Sequence, residues 1–506
     1  MQVKIIVLLI YVAGMILIGY FSMKKTKTVG DFFLANRSLG PWVSAFAYGS
    51  SYFSAVLFIG YAGNIGWGFG LSSLWIVVGN TLIGSLLAWL VLARRTRLVT
   101  EEMQVMTMPE FLQVRYGSNF LKAFSALLIF VFLVPYSASV YMGLSYLFDV
   151  VMGIPYFYAL LLIAGLTGVY LVMGGYLAVS ITDFFQGSIM LGGAIFLIVY
   201  LVGRPEVGGW SQIVARLREV DPQLVGAVGP PGFWPLFGLV GLTSLGPWGL
   251  PQMVQKFYAL KNEKIVYTAT ILATIFALIC TFSAYLSGSL THLFFDQLPQ
   301  INGEPNPELL MPHLIAEVMP PAFSLIFLLL VFSASMSTLS SLVLVSSSAI
   351  TIDLLPARFR DKSLPIMRVL CGVFIFFSLL IAFYRVTFIV NLMSISWGAV
   401  AGSFLAPYLY GLYWKGANRW GAISSMIAGL VVSLGFSWYY GFNSPLAPLW
   451  GSLAMLVPLV VLPVVSILTG GEEDVSLRIR EKEQWAIQEI EEPRLAPDEV
   501  LVRVKA

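Results

Sequence analysis

The sequence predicts an all-α integral membrane protein: thirteen transmembrane helices, ten of them forming two five-helix halves of opposite orientation. Three observations predict it. The chain is 58% hydrophobic and 11% charged, where a soluble domain carries about 25% charged residues. Thirteen segments are apolar over the roughly 20 residues needed to cross the hydrocarbon layer: 4–22, 41–66, 71–93, 123–148, 155–173, 178–203, 233–254, 265–290, 319–347, 367–388, 390–413, 420–441 and 446–469. Finally, each half opens on a helix interrupted by Gly, Ser or Pro, AYGSSYFSA at 47–55 and TSLGPWGLP at 243–251. Paired interruptions of this kind point to an inverted-repeat transporter with its solute site near the bilayer midplane.

Taken in order, residues 1–40 supply an extra N-terminal helix and a loop. The run 4–22 is long, lacks a small-residue cleavage site and is followed by KKTK, so it reads as a retained helix rather than a signal peptide. The first five-helix repeat covers 41–203, an outside loop with VGGW and GPPG covers 204–232, and the second repeat covers 233–413. Two further helices occupy 414–470. The charged tail 471–506 offers a short amphipathic segment (471–491) and no recognisable activity. With the N-terminus outside, loops on the inner side hold eighteen Lys and Arg, Lys256 among them, and outer segments hold five. That asymmetry predicts a multi-pass plasma-membrane protein, N-terminus out and C-terminus cytoplasmic. The net charge of +3 adds little. The two cysteines, Cys280 and Cys371, fall in predicted helices. With only two histidines, His292 and His313, a transition-metal site is not expected.

Other function classes lack their signatures. No charged ring or repeated pore loop suggests a channel, and no HExxH or GxSxG suggests an enzyme. A sensor would carry an output domain. The expected partners are a small solute, sodium ions and the bilayer, with no nucleic acid and a monomer as the simplest assembly.

Residues 333–351 read SASMSTLSSLVLVSSSAIT, ten of nineteen being Ser or Thr. On a helix Ser337, Ser340, Ser341 and Ser348 share a face, with Ala334 and Thr338 beside it. Small residues let helices approach closely, and hydroxyls can bond back to their own helix. They can also ligate a hard cation. Asp183, in GGYLAVSITDFFQG, is an ionisable group within a membrane helix and hence a functional candidate. No Lys or Arg shares its helix; a cation would neutralise it. A proton relay through Asp183 is the alternative. For the solute, candidate lining residues are Tyr52, Ser54 and Ala55 at the first break, Pro247, Trp248 and Pro251 at the second, and Tyr136 in FLVPYSASVYMG.

Five stretches carry a family resemblance: DFFLANRSLGPWVSAFAYGSSYFSA, YLVMGGYLAVSITDFFQG, GPWGLPQMVQKFYA, SASMSTLSSLVLVSSSAITIDLL and LYWKGANRWGAISSMIAGLV. The sequence resembles the sodium:solute symporter family, whose members carry proline, pantothenate, sialic acid, monocarboxylates or glucose. The resemblance implies a LeuT-like 5+5 inverted repeat with one helix before it and two after, working by alternating access. It implies a sodium site built from carbonyls of Ser50, Phe53 and Ala334 and hydroxyls of Ser337 and Thr338. A second sodium, used by some members, would fall on Asp183, Ser337, Ser340 and Ser341. One sodium crossing 100 mV down a tenfold gradient supports roughly 500-fold accumulation of a neutral solute, and two support roughly 10⁵-fold. Proline-type members carry an acid at the Tyr52 position and aromatics at the Thr243 and Pro247 positions; this chain departs at all three. No arginine lies in the predicted pocket, which disfavours a strongly acidic solute such as sialic acid. An amino acid, monocarboxylate or pantothenate-like solute fits better, with a sugar or sialic-acid member as the alternative.

Overall fold

A computed structural model describes residues 2–23, 34–356 and 363–470. The tail and its expected amphipathic segment lie outside these residues, as does KKTK. Helices dominate: α1 (Gln2–Met23), α2 (Pro41–Tyr52), α3 (56–69), α4 (74–102), α5 (Met108–Tyr116), α6 (Asn119–Met152), α7 (Tyr156–Val202), α8 (Ile213–Val220), α9 (Phe233–Gly249), α10 (Pro251–Tyr258), α11 (Val266–Leu290), α12 (Pro321–Ser348), α13 (Ser363–Tyr384), α14 (Ile389–Tyr413), α15 (Arg419–Tyr440) and α16 (Ala447–Leu468). The only strands among the described residues are a small hairpin, Gln300–Ile301 against Glu304–Pro305.

Nine helices among the described residues are long and apolar enough to cross a membrane. The other expected spans are helical but short or divided. The first is a shorter apolar helix at Gln2–Ile18. The span expected at 155–173 is represented by Tyr156–Gly168, with Tyr176–Val202 following it in α7. Those expected at 41–66 and 233–254 are split by the two breaks.

Both breaks have local causes. After Tyr52 the backbone turns extended at Phe53 (φ −114°, ψ 121°), whose N–H still closes on Gly49. Helix resumes when the Ser54 hydroxyl accepts from the Val56 N–H at 3.1 Å, satisfying a donor the new N-terminus would otherwise leave free. The second break falls at Leu250 (φ −76°, ψ 121°), with Pro251 opening α10 at a position where its missing N–H costs nothing. Pro247 lies inside α9, which runs on to Gly249. A break cut into a helix at this depth leaves carbonyls that need protein or ligand partners.

Close approach fixes some of the packing. At Gly66 an added Cβ would meet the Gly288 backbone at 2.4 Å, and at Gly288 it would meet the Ala62 carbonyl at 1.8 Å. The segment after the first break, α3, therefore lies backbone to backbone on α11. Arg37 donates to Tyr258 O and Thr100 Oγ1 at 3.0 Å each, and to Val105 O at 2.9 Å. It pins the loop before α2 to α4 and to the end of α10.

Glu308, between the hairpin and α12, is buried, and its carboxylate accepts from the Ile389 N–H that opens α14. Burial pushes this carboxyl from an ordinary value near 4.5 up to about 8. The folded state thus holds a proton that the unfolded chain releases, and stability falls as pH rises between those values, levelling above them. Glu308→Gln keeps the acceptor without the charge. It is expected to flatten this part of the melting temperature–pH profile of detergent-solubilised protein; a profile superimposable on wild type would remove Glu308 as its source.

Candidate solute and cation site

The first break faces a small cavity, about 290 Å³ with its opening included. Tyr52, Phe53 and Ser54 line it from the first break, Val56, Leu57 and Tyr61 from α3, and Asn80 from α4. Tyr136 comes from α6, Thr243 from α9, Tyr285 from α11, and Met393 and Trp397 from α14. The lining contains no charged side chain. Trp397 stacks on Tyr52 with centroids 6.3 Å apart and meets Tyr136 edge-on at 5.6 Å. The Tyr52 hydroxyl donates to Thr243 O at 2.6 Å, tying the two broken helices together. Three buried polar atoms on lining residues have no protein hydrogen-bond partner: Asn80 Oδ1, Trp397 Nε1 and the Tyr61 hydroxyl. The first accepts, the second donates and the third can do either, and a buried group left so costs about 1–3 kcal/mol unless a ligand or water meets it.

Tyr52, Ser54 and Tyr136 line this cavity as the sequence suggests. Four expected residues do not. Ala55 turns toward α6, where a Cβ on Gly143 would come within 3.1 Å of the alanine's own. Pro247 continues α9. Trp248 donates its indole N–H to Ile83 O at 3.0 Å on α4. Pro251 lines a second cavity, with Gln255, Tyr258 and Ser348. The wall the sequence missed is α14. Gly246 admits it, because an added Cβ would sit 2.2 Å from the Trp397 ring. Gly246→Ala should therefore displace a fully buried indole from the cavity and lower the solute affinity at least tenfold in uptake assays, with expression retained. An unchanged KM would show that the ring is not needed there.

The hydroxyl stretch lies on α12, fully in the interior. Thr338 Oγ1 is 3.4 Å from Ser50 O at the end of α2, so two of the oxygens expected to share a sodium are adjacent. Phe53 stands at the break after α2, and Ala334 lies inside α12. Ser337 Oγ lies 2.9 Å from Ser50 Oγ and donates to Asp183 Oδ1 at 2.7 Å. Ser340 bonds back to Ser337 O at 2.9 Å. Ser341 Oγ is 3.1 Å from Ser51 Oγ.

Asp183 has a partner that the sequence did not suggest. Lys256, counted above with the cytoplasmic loops, is buried on α10, and its ammonium donates to Asp183 Oδ2 at 2.9 Å. Both side chains are closed to solvent, at 1% and 0% exposure. The same ammonium donates to Ser341 Oγ at 3.3 Å and lies 5.4 Å from the Tyr176 ring centroid. Loop counting missed it because Pro251 starts a new helical segment that carries Lys256 inside.

The model of the sodium:solute symporter family matches residues 32–429. The chain belongs to the sodium:solute symporter family. It is a transporter of that family, coupling sodium to solute uptake, and not an enzyme. Among similar proteins of this family is the high-affinity proline transporter PutP of Bacillus subtilis, 32% identical over 428 residues, covering 82% of this chain and 88% of the relative. The osmoregulated proline transporter OpuE of the same organism is 31% identical over 443 residues, covering 86% and 89%. Among solved structures, a Na⁺-coupled sialic acid symporter in a substrate-bound outward-open state gives a TM-score of 0.76 at 20% identity, covering 92% of this chain and 97% of that one. MhsT with L-phenylalanine gives 0.52 at 14%, covering 84% and 97%. At these identities the structural matches establish the fold, that of LeuT-like transporters.

Proposed function

We propose that this symporter takes up a compact zwitterionic amino acid of the proline class, entering with sodium. The observation that carries the solute class is the uncharged aromatic cavity bearing an unpaired acceptor, Asn80 Oδ1, an unpaired donor, Trp397 Nε1, and the Tyr61 hydroxyl, which can serve as either. An acceptor suits the ammonium or iminium end and a donor suits the carboxylate. The N-terminus of α3 adds a positive end within the same wall. A monocarboxylate would leave the acceptor idle, and a strongly acidic solute would meet no cation. The relatives that transport proline support the class. In this reading Trp397 supplies from α14 the aromatic surface that the Thr243 and Pro247 positions lack.

The sodium that drives uptake is held by the carbonyls of Ser50, Phe53 and Ala334 and the hydroxyl of Thr338, with Ser337 beside them. Neutral oxygens from two helices suit a hard monovalent cation. Because α2 and α12 each supply part of the set, sodium draws them together and orders the break at which the solute binds. We place ten helices in a 5+5 repeat at 41–203 and 233–413, within a thirteen-span chain whose N-terminus is outside and C-terminus inside. The second cavity, at Pro251, Gln255 and Ser348, lies on the inward route.

The test is uptake by proteoliposomes across a panel of proline, other amino acids, pantothenate, short monocarboxylates, sialic acid and hexoses. Sodium-driven accumulation of proline or a comparably small zwitterion is expected. Equal uptake with choline in place of sodium, at matched pH gradient and voltage, would remove the coupling; preference for a hexose or sialic acid would remove the solute class.

A further inference from the structure

We propose that Lys256 is a built-in cation occupying the second cation position, so that this chain binds and couples one sodium rather than two. The inference rests on the sodium-coupled reading above and concerns its stoichiometry. The acid and hydroxyls that the sequence offers for a second ion are Asp183, Ser337, Ser340 and Ser341. All four are already engaged with protein partners. Asp183 Oδ2 accepts from the Lys256 ammonium at 2.9 Å, and Oδ1 accepts from Ser337 at 2.7 Å. Ser341 Oγ accepts from the same ammonium at 3.3 Å. Ser340 is turned to the Ser337 carbonyl of its own helix.

An ammonium and a sodium ion make the same electrostatic demand here: one positive charge beside one carboxylate, ringed by neutral oxygens. In a buried site only one of them can be accommodated, because the single carboxylate compensates a single charge and a second would be left unpaired at large cost. The lysine has a lasting advantage, since it is tethered through α10 and loses no translational freedom on entering the site. The Tyr176 ring, its centroid 5.4 Å from the ammonium, offers a further favourable contact to the same charge. The tether also has a geometric result. Lys256 sits six residues past the second break, so the pair joins the inner half of that broken helix to α7 and α12. A free sodium would make the same bridge only while bound; the lysine makes it in sodium-free protein as well.

The test is equilibrium binding of radioactive sodium to the purified full-length protein. Wild type is expected to saturate at one sodium per chain with a Hill coefficient of one. Lys256→Ala, which uncovers Asp183, should saturate at two. The neutral pair Asp183→Asn with Lys256→Met, which leaves no unpaired charge, should keep one sodium at an affinity within about threefold of wild type. Two sodiums on the wild type, a Lys256→Ala protein that stays at one, or a neutral pair that loses the remaining sodium would each overturn the proposal. Should Lys256→Ala not fold, the wild-type count and the neutral pair still decide it. Failure of the underlying reading looks different: no saturable sodium binding by any of these proteins.

Discussion

Asp183→Asn alone is expected to be among the most damaging single substitutions in this protein. It removes the negative charge but leaves the Lys256 ammonium where it is, 1% exposed, with only neutral acceptors, the new amide oxygen and Ser341 Oγ, beside it. Breaking one side of a buried ion pair costs about 3–5 kcal/mol, because the surviving charge is left uncompensated. Against a total stability of roughly 5–15 kcal/mol, that predicts a large fall in melting temperature in detergent and poor membrane expression. Lys256→Met should be comparably harmful, leaving Asp183 with Ser337 alone. The two changes together should be markedly less destabilising than their sum, since two neutral side chains of similar length demand no compensation. A thermal double-mutant cycle measures this directly. Strict additivity would mean that the two groups do not depend on each other in the folded protein.

Thr338→Ala is expected to strike sodium activation hardest. The hydroxyl sits 3.4 Å from Ser50 O across the α2–α12 contact, beside a carbonyl proposed to share the ion. Losing one oxygen from a small ligand set removes an interaction comparable to a hydrogen bond to a charged group, about 1.5–3 kcal/mol. That corresponds to roughly a 10- to 150-fold rise in the sodium concentration for half-maximal uptake. Thr338→Ser, which keeps the oxygen and loses a methyl, should stay near wild type. The contrast between the two variants separates a ligand from a packing residue: if both shift sodium dependence equally, the methyl matters and the oxygen does not.

The features legible in the sequence were those that make no sense in hydrocarbon. Asp183, the hydroxyl run on α12 and the break at Ser54 all stand out against apolar neighbours, and all of them meet in the interior. Residues whose presence in a membrane helix is unremarkable were missed. Trp397 and Tyr285 are aromatic residues in a chain that is 14% aromatic, and only the fold brings α11 and α14 to one cavity. Asn80 is the exception: an amide inside VVGNTLIG is a polar group among apolar neighbours, the same signal that marks Asp183. Pro247 was misleading for a different reason. A proline inside a helix need not end it, and here the chain stays helical for two more residues before Leu250 departs. Lys256 was misplaced because a loop-charge tally treats a basic residue near a predicted helix end as solvated.

The backbone contact between Gly66 and Gly288 bears on how the machine moves. With no side chain between them, and with an added Cβ at Gly288 meeting the Ala62 carbonyl at 1.8 Å, the outer half of the first broken helix has no clearance to slide along α11. The two must swing as a single lever. Flexure is then confined to Phe53 and Ser54, the non-helical step between α2 and α3, which lines the cavity where the solute is proposed to sit, so whatever fills the cavity sits directly on the pivot.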